Sequence, residues 1–383
     1  MKIICTGKIA NTTAGHVDHA LAYAAGWQRL GHEVTLIEQV GRSRCVDEQG
    51  RRVPFQQWHG RQDFEAVARR YGLWPRCSLI YGQGEFSHGL TFAQARQAAS
   101  DADLLITRSG QIHKLAAIFE PPRRRAYFDG NPGSTQTLWH QQDESSDPLG
   151  DYDYHFTLGL NIGAPDCPIP TNGLRWRPMA RPVILPMWPV AQGSPGSRFT
   201  TISTWKGRAT MNWRGVASGE KFDNWLRFLS LPSACLQAFE ISLRFESDDL
   251  GEDRSIFEGQ GWSLADPREL RDLDDYRRYI AGSCAEFSVA HNRYVAFNTG
   301  WFSDRSALYL ACGRPVLVQS TGIESHLPVG EGLLTFRTLD EAVAGVEAIN
   351  ADYATHSRAA RDLAIRYFDS DKVLTDILEQ IGD

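Results

Sequence analysis

Four short stretches of the chain gather residue types that do chemistry. In Asn298-Thr299-Gly300-Trp301-Phe302-Ser303-Asp304-Arg305-Ser306, a loop with glycine and serine runs into a helical pattern that stops at Gly313. The first turn of such a helix offers free backbone N–H groups and the positive end of the helix dipole, a setting that suits a diphosphate. Ser303 and Ser306 add hydroxyls and Arg305 a fixed charge, although the same residues also read as a capped helix start with a surface arginine. In Ala14-Gly15-His16-Val17-Asp18-His19, two imidazoles that titrate near neutral pH and a carboxylate meet where the first helix opens. Helix capping is the other role open to them. Asp129 ends an apolar run just before the turn Gly130-Asn131-Pro132-Gly133, either as a competing base or as the cap of that turn. Trp205-Lys206-Gly207-Arg208, with Lys221 further on, places cations directly after another strand.

The elements that must position these groups follow an α/β rhythm. Residues 2–6 read as a strand, 17–30 as a helix and 33–38 as the next strand, which opens a parallel, doubly wound sheet. The theme repeats with strands at 102–107 and 125–129 and a helix at 112–119. Between about residues 165 and 195 prolines and glycines crowd the chain, and after them the rhythm restarts with strands at 200–204, 238–244, 285–290 and 315–319. The expected organisation is an N-terminal domain over 1–180, a proline-rich hinge over 181–198 and a second α/β domain over 199–366. A C-terminal helix over 367–383 either stays with the second domain or crosses back to the first. A chain of 383 residues is long enough for two cores of this kind.

Composition narrows the function classes. The net charge of −6 gives no global basic field, so nucleic acid is not an expected partner. No apolar run approaches a membrane span, and the first residues lack the pattern of a signal peptide. Seven scattered cysteines, none in CxxC spacing, point to free thiols in a reducing cytoplasm rather than to a disulfide frame or a zinc site. Asp151 and Asp153 have the spacing of a metal-binding pair without its strand context, so no metal is expected.

The loop at 298–306, the helix ending Ala311-Cys312-Gly313 and the strand opening Arg314-Pro315-Val316 resemble the donor-binding motif of bacterial GT-B glycosyltransferases, most closely the group related to the spore-maturation CgeB-type proteins and to families 1 and 4. The resemblance runs best over 200–383. It implies two Rossmann-like domains facing a cleft, and sugar transfer from a nucleotide-diphosphate sugar, UDP- or GDP-linked, with no other cofactor. By resemblance, the donor would be held by Lys206, Arg208, Lys221, His291, Gly300, Trp301, Phe302, Ser303, Asp304, Arg305 and Ser306. Gly15, His19 and Asn131 would face the acceptor, and His16, Asp18 or Asp129 would deprotonate it. The acceptor would be a small molecule, a natural product or a glycan. Retaining members carry two glutamates eight positions apart, and those positions are Gly300 and Leu308 here, which turns the expectation towards inversion. A sugar-nucleotide epimerase on the same fold, or a two-lobed binding protein without catalysis, are the alternatives. A nicotinamide dehydrogenase is disfavoured because the first strand–loop lacks G-x-G-x-x-G.

Overall fold

Short aliphatic runs such as Ile3-Ile4 and Leu104-Leu105-Ile106 are buried on both faces, as strands covered by helices on each side must be. In the computed structural model, which describes all residues except 144–145, 206–210, 219–220, 245–249, 271 and 383, these runs build two sheets. The N-lobe sheet contains β1 (Lys2–Thr6), β2 (Glu33–Val40), β3 (Cys77–Tyr81), β4 (Phe86–Gly89), β5 (Leu104–Arg108), β6 (Arg125–Asp129), β7 (Tyr154–Thr157) and β8 (Trp176–Pro178). Its order is β4-β3-β2-β1-β5-β6-β7-β8, and every pairing is parallel except β3 with β4.

The C-lobe begins with β9 (Arg198–Thr204) and a small hairpin of β10 (Met211–Trp213) and β11 (Val216–Ser218). It continues through β12 (Ala238–Arg244), β13 (Ser263–Ala265), β14 (Ala285–Ser288), β15 (Val316–Gln319) and β16 (Leu333–Phe336). The order β13-β12-β9-β14-β15-β16 is parallel throughout. Each sheet therefore reverses its winding once, between β1 and β5 in the N-lobe and between β9 and β14 in the C-lobe. Strand carboxyl ends at such a reversal leave a crevice where ligands bind.

The expected helix at 112–119 shrinks to Ala116–Phe119. Ser109, Gly110 and Ile112 all have positive φ, which is incompatible with a continuous right-handed helix. The proline-rich stretch is only partly a connector, because β8 within it forms the edge of the N-lobe sheet. Its later part is tied to the chain's end: Val183 N–H donates to Phe368 O at 2.7 Å, and Ser370 N–H to Val183 O at 2.9 Å.

The last helix, Ser370–Gly382, packs on the first, Ala14–Arg29. Gly26 makes that approach close, since a Cβ there would lie 2.5 Å from Leu374 Cδ1. Arg29 pairs with Asp371 at 3.3 Å, and Arg124 donates to Ile381 O at 3.1 Å. The closing helix of the chain thus belongs to the packing of the N-lobe. Leu374 is fully buried in this contact. Leu374→Ala is expected to lower unfolding free energy by about 2–5 kcal/mol, read from denaturant melts; a loss under about 1 kcal/mol would show that the last helix does not anchor the lobes.

Candidate active site

The carboxyl ends of β1 and β5 carry the N-lobe half of the cleft. Thr12 and Thr13 precede the first helix, and both hydroxyls lie against His16 Nδ1, at 3.1 and 3.0 Å. Thr13 stands at the N-cap but spends its hydroxyl on that ring rather than on the helix amides. A Nδ1–H donated to either threonine leaves Nε2 as the basic nitrogen, turned away from both hydroxyls. The ring is open to the cleft, yet the surrounding protein strips bulk water from it. That desolvation, with the charges of Arg108 and Lys8, pushes its pKa down to about 4, so His16 is neutral at pH 7.

Three residues along the first helix, His19 is buried and its Nδ1 lies 2.6 Å from Oδ2 of Asp304, the first residue of the C-lobe helix Asp304–Ala311. His19 Nε2 is buried without a partner, so a proton there would have no acceptor. Burial, opposed only in part by Asp304, drives the His19 pKa down to about 4. The Asp304 carboxyl is held well below the usual range: its burial is outweighed by His19, Arg181 and Arg108. Arg181, from the segment joining the lobes, sits 3.9 Å from Asp304 Oδ1 by its Nε and pairs closely with Asp18.

The sequence had set His19 on the acceptor side and Asp304 on the donor side; the structure joins them as one contact between lobes. Other candidates are held by partners within the protein. Asp18 is buried, taken by Arg181 on Oδ2 and by Trp188 Nε1 on Oδ1 at 2.8 Å, so it has no lone pair facing an acceptor. Asp129 is fully buried and accepts from Asn131 N–H, Thr135 Oγ1, Gln136 Nε2 and Thr157 Oγ1, all at 2.8–2.9 Å. Burial raises its pKa, and those donors only moderate the rise. It caps its turn, the plainer of its two expected roles. Asn131 turns its Oδ1 to Arg293 Nη2 at 2.9 Å and to Tyr294 Oη at 3.3 Å, across the lobe seam. Gly15 lies in the first helical turn, facing Tyr276.

On the C-lobe side, Arg305 is no free cation. Its Nε donates to Glu286 at 2.6 Å, its Nη2 to Ser288 at 2.7 Å and its Nη1 to Ile202 O, inside the lobe. The Gly300 amide is spent on Thr321 O at 2.7 Å, and Gly300 itself is needed for a positive φ and for close approach to Asn161. Trp301 stacks on Tyr294 with centroids 4.4 Å apart, and Phe302 stacks on Phe368 at 5.3 Å in the core. His291 packs edge-on against Tyr294, and Lys221 is buried at the start of its helix. Lys206 and Arg208 lie outside the described residues.

What stays open is the first turn of the helix Asp304–Ala311. No side chain caps its amides, and Ser306 Oγ is buried without a partner. A small pocket lined by Ser288, Val289, Ala290, Phe302, Ser303 and Gln319 lies at this end of β14 and β15. A larger hollow of about 520 Å³, between the loop 163–171 and Arg214, contains none of the groups above. Among the described residues, no group of three or more His, Cys, Asp or Glu side chains is placed to hold a metal, and no helix is long and apolar enough to cross a membrane. All seven cysteines are free thiols.

Sequence reasoning missed Lys8, Arg108, Arg181 and Arg293. Arg108 had a readable signal, a lone cation closing the apolar strand Leu104–Arg108 at its ligand edge. Arg181 and Arg293 had none, for their side-chain hydrogen-bond partners Asp18, Ser134 and Asn131 are more than 150 residues away in sequence.

Two doubly wound sheets in tandem, parallel but for β4, form the two-lobed GT-B architecture known from glycosyltransferases. Residues 248–379 match a family described as glycosyl transferase-like. No curated protein matches the chain. Among solved structures it is similar to HepE of Anabaena in complex with UDP-glucose, with 11% identity, 100% of this chain and 99% of that one covered, and a TM-score of 0.60. An alpha-glucosyltransferase in complex with UDP and a 13-mer DNA is similar at 11% identity, with the same coverage and a TM-score of 0.59. Sucrose-phosphate synthase of Thermosynechococcus elongatus follows at 11%, 100% and 99% coverage, and 0.53.

Two outcomes separate structural from chemical roles. Asp18→Ala leaves buried Arg181 with only its longer contact to Asp304, and is expected to cost about 3–5 kcal/mol in denaturant unfolding. For His19, the folded pKa of about 4 lies below the ordinary 6.5. As pH falls between those values the unfolded chain takes up a proton that the folded chain refuses, so stability drops. Wild type should lose roughly 1 kcal/mol more per pH unit in that window than His19→Gln does, measured by melts from pH 7 to 4.5.

Proposed function

We propose that the protein is a glycosyltransferase that moves a sugar from a nucleotide-diphosphate donor to an acceptor hydroxyl or thiol. The observation that carries this reading is the opposition of a neutral, cleft-facing His16 on the N-lobe to an uncapped helix start with an unpartnered Ser306 on the C-lobe. The first supplies a base and the second an anion site, which are the two halves such a displacement needs. The glycosyl transferase-like match over 248–379 supports it. UDP is the favoured carrier, since the similar structures of HepE and the alpha-glucosyltransferase hold UDP or UDP-glucose.

In the proposed reaction the acceptor oxygen bonds to the anomeric carbon as the bond from that carbon to the diphosphate oxygen breaks. The acceptor proton passes to His16 Nε2, and the electron pair leaves with the nucleoside diphosphate. The diphosphate charge is met by the amides of the helix Asp304–Ala311 and by Lys206 and Arg208, without a divalent metal. Single displacement inverts the anomeric centre; Gly300 and Leu308 offer no carboxylate for the retaining alternative. Asp18 and Asp129 are not part of this scheme.

Calorimetric titration with UDP, GDP, dTDP, ADP and CDP, with and without magnesium, tests the donor half. One diphosphate is expected to bind, indifferent to metal. With the matching sugar donor, His16→Ala should lower kcat by about 10²–10⁴ while leaving diphosphate affinity within about twofold. Full activity in that variant would remove His16 from the chemistry.

A further inference from the structure

On the premise of the transfer proposed above, the charges around the N-lobe reversal point bear on what receives the sugar. Lys8 lies two residues beyond β1, and Arg108 is the last residue of β5, the neighbouring strand, with its N–H on Thr6 Oγ1 at 3.2 Å. His16 stands above them in the first helical turn. Both cations are half-buried, and neither the Lys8 ammonium nor the Arg108 guanidinium makes a hydrogen bond or ion pair with any described residue.

The acidic groups nearby hold other partners, and none makes a direct pair with Lys8 or Arg108. Glu38 is buried, with Oε2 accepting Ile9 N–H at 2.7 Å and Ala10 N–H at 3.0 Å and Oε1 paired with Arg44 at 2.9 Å. It thereby fixes the loop that carries Lys8. Asp304 is clasped by His19 and Arg181, and Asp129 is saturated by its own turn. Burial lowers the pKa of both Lys8 and Arg108, and for Lys8 the charges of Arg44 and Arg108 add to it. Two cations partly withdrawn from water, with Asp304 and Glu38 acting on them only from beyond pairing distance, are costly to hold, and a bound anion would lower that cost.

We infer that the acceptor is an anion, a small hydroxyl compound bearing a phosphate or a carboxylate, and that Lys8 and Arg108 grip the charged group while its hydroxyl faces His16. These cations stand at the N-lobe sheet edge, whereas the diphosphate site of the proposed donor is built at the C-lobe edge from the amides of the helix Asp304–Ala311. Two anion sites, one per lobe, would then flank one reacting bond.

The test is calorimetry on the full chain with inorganic phosphate, glucose 6-phosphate, glucuronate and glucose, each alone and in the presence of UDP, on wild type, Arg108→Gln, Lys8→Gln and Arg108→Lys. Glucose 6-phosphate or glucuronate should bind at least about tenfold more tightly than glucose, and which of the two does so tells phosphate from carboxylate. Either glutamine variant should weaken that binding about tenfold or more with UDP affinity unchanged, and Arg108→Lys, which keeps the charge, should recover most of it. Equal binding of charged and neutral sugars, or no binding of any anion, overturns the proposal. So does a fall in UDP affinity in Arg108→Gln, which would assign these cations to the donor. Failure of wild type to bind any nucleoside diphosphate would instead sink the transferase reading, with anion binding still read separately in the titrations without UDP.

Discussion

The Asp304 carboxylate is the point on which the two lobes turn. It opens the C-lobe helix of the cleft, yet His19 from the first helix of the N-lobe and Arg181 from the connecting segment both close on it. Arg181 in turn holds Asp18, three residues into the same helical stretch as Gly15 and one before His19. One buried network therefore sets the distance between the helix that carries His16 and the helix whose amides face the cleft. Such a network is a demanding device, because each charge removed from water must find its partner in both lobes at once.

Around that network the seam is polar and specific. Asn161 donates its Nδ2 to Asn298 O at 2.8 Å and accepts from His326 Nε2 at 2.7 Å. Arg293 reaches from the C-lobe to Ser134 at 2.8 Å and to Asn131 at 2.9 Å. The loop 298–301, expected from the sequence to hold a diphosphate, meets the other lobe instead. Its glycine serves approach to Asn161, and the uncapped amides lie further on, at the start of the helix Asp304–Ala311. Lobe contact and the start of the helix Asp304–Ala311 thus share one short segment.

Carboxylates in the cleft region divide by burial and partner count. Asp18 and Asp129 are both buried, and each has its oxygens taken, Asp18 by the side chains of Arg181 and Trp188 and Asp129 by its own turn and by neighbouring side chains. Histidines divide the other way. His19 is sealed against Asp304, whereas His16 is fixed through one nitrogen by two threonines and leaves the other to the cleft. Both are kept neutral chiefly by desolvation, with Arg108 adding to it.

The α/β alternation, two sheets and a cleft edge marked by turn residues were legible along the chain, because strand and helix periods and glycine–proline turns are local properties. Residue types at those edges were legible too: His16, Asp18, Asp129 and Ser306 were all candidates from their chemistry and the resemblance together. Which of several like residues is free to act was not. Asp18 and His16 lie two positions apart on one helix, and Arg181 and Trp188, both more than 160 residues away, take the first and not the second. Arg305 read as a loose cation until Glu286 and Ser288, on β14, were seen to hold it. Availability depends on partners brought from far along the chain, and that pairing is decided by tertiary packing.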